Sequence, residues 1–163
     1  TYTVAQYEEV VGWARTHIED VEITSDFIVG FPGETDEDFE GTRSLVERSE
    51  LVQAYIFKYS VRPRTASARR MEDDIPESVK QERNVILHAT QDEISARRNG
   101  AMVGRTVEVL VDGISKKKDD MLAGREPGNR LVHFPGDASL AGQMVHVKID
   151  ACGKHSLVGT RAS

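Results

Sequence analysis

The 163-residue sequence has a single cysteine, Cys152. One cysteine cannot close an internal disulfide, and alone it cannot hold a zinc ion or an iron–sulfur cluster. It reads as a small residue near a strand end. No apolar run approaches the roughly 18–20 residues needed to cross a bilayer. The first residues, TYTVAQYEEVV, show no basic flank followed by an apolar core. No signal peptide is therefore expected, and the sequence reads as cytoplasmic with no membrane partner. Aromatics are scarce in the second half, where Phe134 stands alone. Any nucleic-acid binding there is expected to be led by backbone contacts rather than base stacking. Hydrophobic residues at 39% and charged residues at 29% are ordinary for a globular chain.

The net charge of −6 argues against a nucleic-acid partner only as an average. Residues 1–100 carry 12 Lys and Arg against 20 Asp and Glu, a balance of −8. Residues 101–163 carry 9 against 7, a balance of +2, together with His133, His146 and His155. That asymmetry predicts two units with different partners, the second suited to phosphate.

The first half alternates helix and strand. Thr3 and Gln6 have capping-box spacing ahead of an apolar series through Val4, Tyr7, Val10, Val11, Ala14 and Ile18. Tyr7 and Trp13 on this helix are expected to pack in the core. Ile23 to Gly30 reads as a buried strand, and Thr35 with Asp36, Glu37 and Asp38 as a helix start. Ala54 to Tyr59 is a second strand, with Tyr55, Phe57 and Tyr59 alternating as barrel lining or as plain core. Ser60 to Asp74 reads as irregular. Ser78 and Gln81 suggest another capping box, opening a helix with Val79, Ile86, Thr90 and Ile94 on one face and stopping at Asn99-Gly100. Parallel β/α units follow from this order. Two strands cannot close a barrel, so residues 1–100 read as a piece of something larger.

From residue 101 the period becomes two. Thr106–Asp112 and Gln143–Asp150 alternate, with shorter runs at Met121–Arg125, Arg130–Phe134 and Ser156–Thr160. Five short strands in about 60 residues predict a small all-β, OB-like barrel.

The most distinctive segment is Asp26-Phe-Ile-Val-Gly-Phe-Pro-Gly-Glu34-Thr35, a strand running into a glycine-bounded turn and a helix. Ligands of parallel β/α folds bind at the carboxyl ends of strands. Gly30 and Gly33 permit close backbone approach and Pro32 stiffens the turn. Glu34 and the helix-start amides could receive a polar group. A tight β/α turn that merely needs glycine accounts for the same residues. Strand alternation puts either Asp26 with Ile28, or Phe27 with Val29, toward a barrel interior. Asp26 is polar in an apolar strand, so it is either a site residue or a hydrogen-bonded structural carboxylate. Arg62 and Arg64 flank Pro63 after the second strand, and Lys116, Lys117 and Lys118 lie in a hairpin loop. Such cations neutralise phosphates or simply sit in solvent. Arg125, Asn129, Arg130, His133 and Phe134 fall on or beside adjacent short strands.

DFIVGFPGET followed by EDFE closely resembles the late-barrel segment of radical-SAM tRNA methylthiotransferases. YSVRPRTASA resembles their YSPRPGTPA loop, departing from it at Val61, Arg64 and Ser67. QERNVILHATQDEISARRNGAMVGRTVEVLV, SKKKDDMLAGREPGNRLVHFPG and CGKHSLVGT are similar, in order, to their helical connection and C-terminal TRAM domain. The FPG and HSL elements fit best the branch acting on N6-isopentenyladenosine beside the tRNA anticodon. The resemblance implies a radical-SAM, TIM-like β/α barrel end over 1–100 and a TRAM RNA-binding barrel over 101–163. It implies S-adenosylmethionine and two 4Fe-4S clusters in the whole enzyme, with the CxxxCxxC ligands outside this chain. By the resemblance, Asp26, Ile28, Gly30, Pro32, Gly33 and Glu34 lie at the cofactor, with packing from Phe27 and Val29. Arg62, Lys116, Lys117, Lys118, Arg125, Asn129, Arg130 and His133 are the candidate contacts to a tRNA anticodon stem-loop. Metal ligands and catalytic residues are not expected here, and the chain alone is expected to be inactive without the enzyme's N-terminal domains. The competing readings are a non-catalytic TRAM-type RNA-binding module, or a sister enzyme acting on threonylcarbamoyladenosine or a ribosomal protein.

Overall fold

The computed structural model describes residues 2–116, 118 and 120–162. Two compact units divide at Ile94/Ser95.

In the first, helix α1 (Val4–His17) starts at the Thr3/Gln6 capping box as expected. Strand β1 (Thr24–Val29) leads through a turn to α2 (Asp36–Ser49), and β2 (Gln53–Lys58) pairs parallel to β1 with Ile28 opposite Phe57. The stretch expected to be irregular contains a short helix, α3 (Ala66–Arg70), capped by the Thr65 hydroxyl. Helix α4 (Glu77–Gly100) follows. It begins before Ser78, so the Ser78/Gln81 capping box does not form. Lys80 N–H bonds the Pro76 carbonyl instead, and the Gln81 side chain accepts from Lys58 at 3.0 Å.

The buried face of α4 also differs from the expected one. Lys80, Arg83, Leu87, Gln91 and Ile94 point inward, whereas Ile86 is 37% exposed. Three of those five are polar, which hides the stripe from a reading by hydrophobicity. They are tolerated inside because each has partners; Gln91 Nε2, for example, donates to the Leu51 carbonyl at 3.1 Å. The core of this unit joins Val29, Phe39, Val46, Leu51, Ala54, Ile56, Leu87 and Ile94.

Thr35 and Asp38 cap α2 reciprocally. The Asp38 carboxylate accepts from the Thr35 amide at 2.9 Å and its hydroxyl at 2.8 Å. The backbone bond, then the hydroxyl bond, holds the Asp38 carboxyl below its ordinary value of 3.8. A depressed folded-state pKa stabilises above the unfolded value and loses that contribution as pH falls through the folded one. Asp38→Asn is therefore expected to destabilise at neutral pH, and the gap from the parent chain to shrink below about pH 4. Denaturation curves taken across that range check this; a gap independent of pH would contradict it.

The second unit is a closed barrel of strands β3 (Thr106–Ile114), β4 (Leu122–Arg125), β5 (Leu131–Phe134), β6 (Met144–Cys152) and β7 (Leu157–Arg161) in the order β3-β4-β5-β7-β6. All five lie where the alternation placed them. Neighbours are antiparallel except β5 and β7. The interior packs Val109, Val111, Leu122, Val132, Phe134, Val145, Val147, Ile149 and Leu157, with Met102. Among the described residues no helix is long and apolar enough to cross a membrane.

Candidate cofactor face and nucleic-acid interface

The turn after β1 is built from backbone constraints upward. Gly30 and Gly33 adopt φ of +69° and +81°, the left-handed region that favours glycine. A Cβ on Gly30 would stand 2.3 Å from Lys80 Cγ. Glu34 accepts the Gly30 N–H at 2.6 Å and pairs with Arg83 Nη1 at 2.7 Å, with only 9% of its side chain exposed. Gly33 N–H donates to Asp74 Oδ1 at 2.9 Å, Pro32 is buried, and Lys80 Nζ pairs with Asp73 at 2.5 Å. The groups expected to wait for a ligand are thus engaged within the protein. Glu34 is a staple between this turn and α4 rather than an open carboxylate.

The two-stranded sheet resolves the alternation at Asp26. Asp26 and Ile28 lie on its open face, with Tyr55 and Phe57 beside them in register; Phe27 and Val29 turn to the helices. Ile28 is 54% and Phe57 53% exposed. At the carboxyl ends of the strands, Ile28, Phe31, Phe57, Tyr59, Arg62 and Thr65 line a cavity of about 250 Å³. Tyr59 leaves the Tyr55/Phe57 face. It is buried beneath Phe31, 5.1 Å away edge-to-face, and Lys80 lies 5.4 Å over its ring. Arg62 is exposed and its carbonyl accepts from the Thr65 hydroxyl at 2.8 Å. Arg64 adopts φ +74°, at the position where the resembled loop has glycine.

Trp13 departs from expectation. It is 60% exposed, stacked on His17 at 4.7 Å, on a face of α1 shared with Tyr2 and Val10. Val10 on that face is exposed as well, whereas the Tyr7 hydroxyl is buried.

In the barrel unit, Lys116 is exposed and Lys118 half-buried in the β3–β4 connection, the Lys118 N–H donating to Ser115 Oγ at 3.0 Å. Lys117 lies outside the described residues. Arg125 is exposed at the end of β4, its Nη1 donating to the Asn129 carbonyl at 2.8 Å; Asn129 is exposed at φ +66°. Arg130 and His133 do not join this surface. They are 8% and 3% exposed, and Arg130 is engaged by Glu126 and Asn99. Phe134 is fully buried, which removes the one aromatic that could have stacked on a base. The residues missed from the sequence are Lys80, Arg83, Asn99 and Glu126. The helical spacing of Lys80 and Arg83 at i and i+3, matched to Asp73 and Glu34, is the available signal for two of them. Among the described residues no group of three or more His, Cys, Asp or Glu could hold a metal ion, and Cys152 is exposed and free.

The sequence pattern of the TRAM domain family matches residues 100–160. The chain is 45% identical over 159 residues to the tRNA-2-methylthio-N(6)-dimethylallyladenosine synthase of Acetivibrio thermocellus, covering 98% of this chain and 33% of that protein. The enzymes of the same name from Rhodopirellula baltica and Geobacillus thermodenitrificans are 43% and 46% identical over 97% and 99% of this chain, and 35% and 31% of their own lengths. The chain spans about a third of the length of the curated relatives it matches.

Proposed function

We propose that the chain is a portion of a radical-SAM tRNA methylthiotransferase, since residues 100–160 match the TRAM domain family and nearly the whole chain is similar to part of the tRNA-2-methylthio-N(6)-dimethylallyladenosine synthases. The reading is carried by identity above 40% along both units rather than along one motif. The enzyme's reaction is the addition of a methylthio group to N6-isopentenyladenosine beside the anticodon. The first unit contributes the end of the β/α barrel, and the second binds the tRNA anticodon stem-loop. Whole activity requires the full length of the enzyme, about a third of which this chain spans.

The open face of β1 and β2 supports the barrel assignment. A parallel sheet covered by helices on one side and apolar on the other is a sheet built for burial on both faces. Ile28, Tyr55 and Phe57 on that face, with Asp26 beside them, fit the apolar body and polar edge of S-adenosylmethionine. That cofactor supplies the radical and the methyl group when bound. The two 4Fe-4S clusters do not fit here, since one cysteine cannot ligate them; their ligands belong elsewhere in the enzyme.

RNA binding is the part this chain can be tested for. Lys116, Lys118 and Arg125 put cationic side chains at the β3–β4 loop and the end of β4. Affinity for an anticodon stem-loop RNA is expected to fall with salt, because each phosphate neutralised releases counterions. Lys116→Ala, Lys118→Ala and Arg125→Ala are each expected to lower the slope of log affinity against log salt, by up to about 1 for each phosphate no longer neutralised. Binding titrations at several salt concentrations check this; no salt-dependent affinity in the parent chain would overturn the reading. Nucleoside analysis of tRNA from a deletion strain separates N6-isopentenyladenosine from the threonylcarbamoyl substrate and from a ribosomal protein.

A further inference from the structure

We infer that Asn99 and Arg130 are positioning residues that fix where the barrel presents Arg125 to RNA, rather than cations or polar groups that touch RNA themselves. This rests on the RNA-binding reading above. In the sequence Arg130 reads as a phosphate contact, but its side chain is 6% exposed and faces a carboxylate, Glu126, that is equally buried. A phosphate cannot reach a guanidinium held in that way without displacing Glu126.

The hydrogen bonds form one connected network. Asn99 takes Arg130 Nε on its Oδ1 at 3.1 Å. Its Nδ2 donates to the Gly153 and Lys154 carbonyls at 2.9 and 3.0 Å. One carboxamide therefore ties the β4–β5 turn to the β6–β7 turn. Glu126 Oε1 accepts the Arg130 N–H at 2.8 Å, and the Glu126 carbonyl accepts the Asn129 N–H at 2.8 Å, which closes the β4–β5 turn on itself. The Asn129 carbonyl, carried at φ +66°, then receives Arg125 Nη1 at 2.8 Å. Arg125 is the exposed arginine of the series, whereas Arg130 is buried. Its guanidinium is held by a carbonyl whose position depends on the buried network behind it. Arginine suits the inner position because its rigid fork meets Asn99 with Nε and Glu126 with Nη1 together, whereas lysine presents one point charge.

The test uses the whole chain and an anticodon stem-loop RNA. Asn99→Ala and Arg130→Lys are each expected to weaken binding at one salt concentration about as much as Arg125→Ala, roughly fivefold. Each should add little when combined with Arg125→Ala, because all three remove the same interaction. Asn99 carries no charge and Arg130→Lys keeps one, so neither effect can come from deleting a phosphate-bound cation. A control comparison of barrel melting confirms that the variants are folded at the assay temperature. Full affinity in Arg130→Lys, or losses that add to that of Arg125→Ala, would overturn the inference. Hydrogen exchange gives a readout without RNA: the Asn129 amide is expected to exchange faster in Asn99→Ala, and unchanged exchange overturns the positioning claim. A parent chain that binds no RNA overturns the functional reading and the RNA step here together, and the exchange result tells that failure apart from failure of the network.

Discussion

Replacing Arg83 with leucine is expected to cost the first unit about 3–5 kcal/mol, the range measured when one partner of a buried ion pair is removed. The reason lies in what remains. Arg83 is 5% exposed and its Nη1 binds both the carboxylate and the carbonyl of Glu34, at 2.7 and 3.1 Å. Without it, Glu34 keeps the Gly30 N–H but is left as a buried carboxylate with no opposing charge. Asp36, the second partner at 2.7 Å, has a fully solvated side chain and contributes little. Burial lowers the Arg83 pKa, but hydrogen bonds to Asp36 and Glu34 outweigh it and leave the group above its ordinary range. The charge therefore persists at every working pH. The thermal midpoint of this unit should fall by about 15 °C or more. Combining Arg83→Leu with Glu34→Gln should restore part of the stability, since the stranded charge goes too. Fluorescence-detected denaturation of Arg83→Leu, Glu34→Gln and the double variant decides it; a single Arg83→Leu change worth less than about 0.5 kcal/mol would show that the pair is not structural.

Gly159→Ala is expected to disrupt the barrel at a cost of about 3 kcal/mol or more, at or beyond the upper end of ordinary overpacking. A Cβ there would lie 2.2 Å from the Lys148 carbonyl oxygen and 2.7 Å from Val147 Cγ1. Backbone atoms of a paired strand cannot rotate away as a side-chain tip can, so β6 and β7 must separate. Gly124→Ala meets the same obstacle on β3, 2.3 Å from the Leu110 carbonyl oxygen. At both places the five-stranded closure brings neighbouring backbones too near for a side chain. Gly153→Ala is the control: its nearest neighbour is 3.7 Å away, and it should melt close to the parent chain. Circular dichroism of the three variants makes the comparison, and equal midpoints for Gly159→Ala and Gly153→Ala would refute the packing argument.

The barrel was legible because its signal is strict alternation, and every fully buried interior residue from Val109 to Leu157 sits at an alternating apolar position. Helices α1 and α2 were legible from their caps, Thr3/Gln6 and Thr35/Asp38. Helix α4 was located correctly but turned wrongly, because Lys80, Arg83 and Gln91 occupy its inner face. Reading polarity as exposure fails wherever a carboxylate or carbonyl waits opposite. The same failure moved Arg130 and His133 from the surface to the interior. At Asp26 the sequence left two faces open, and only the pairing of β1 with β2 chose between them. Trp13 was misplaced for a different reason: an apolar stripe states that a helix wants cover, not that the cover is on the same piece of chain.

The burial of Phe134 has a practical corollary. The second unit contains no tryptophan or tyrosine, while Trp13, Tyr2, Tyr7, Tyr55 and Tyr59 all belong to the first. Intrinsic emission is therefore a reporter of one half of the molecule, and the other half is dark to it. A single tryptophan placed on the barrel exterior, at Leu110 or Met144 where the side chains are about half exposed, would give that half its own optical handle.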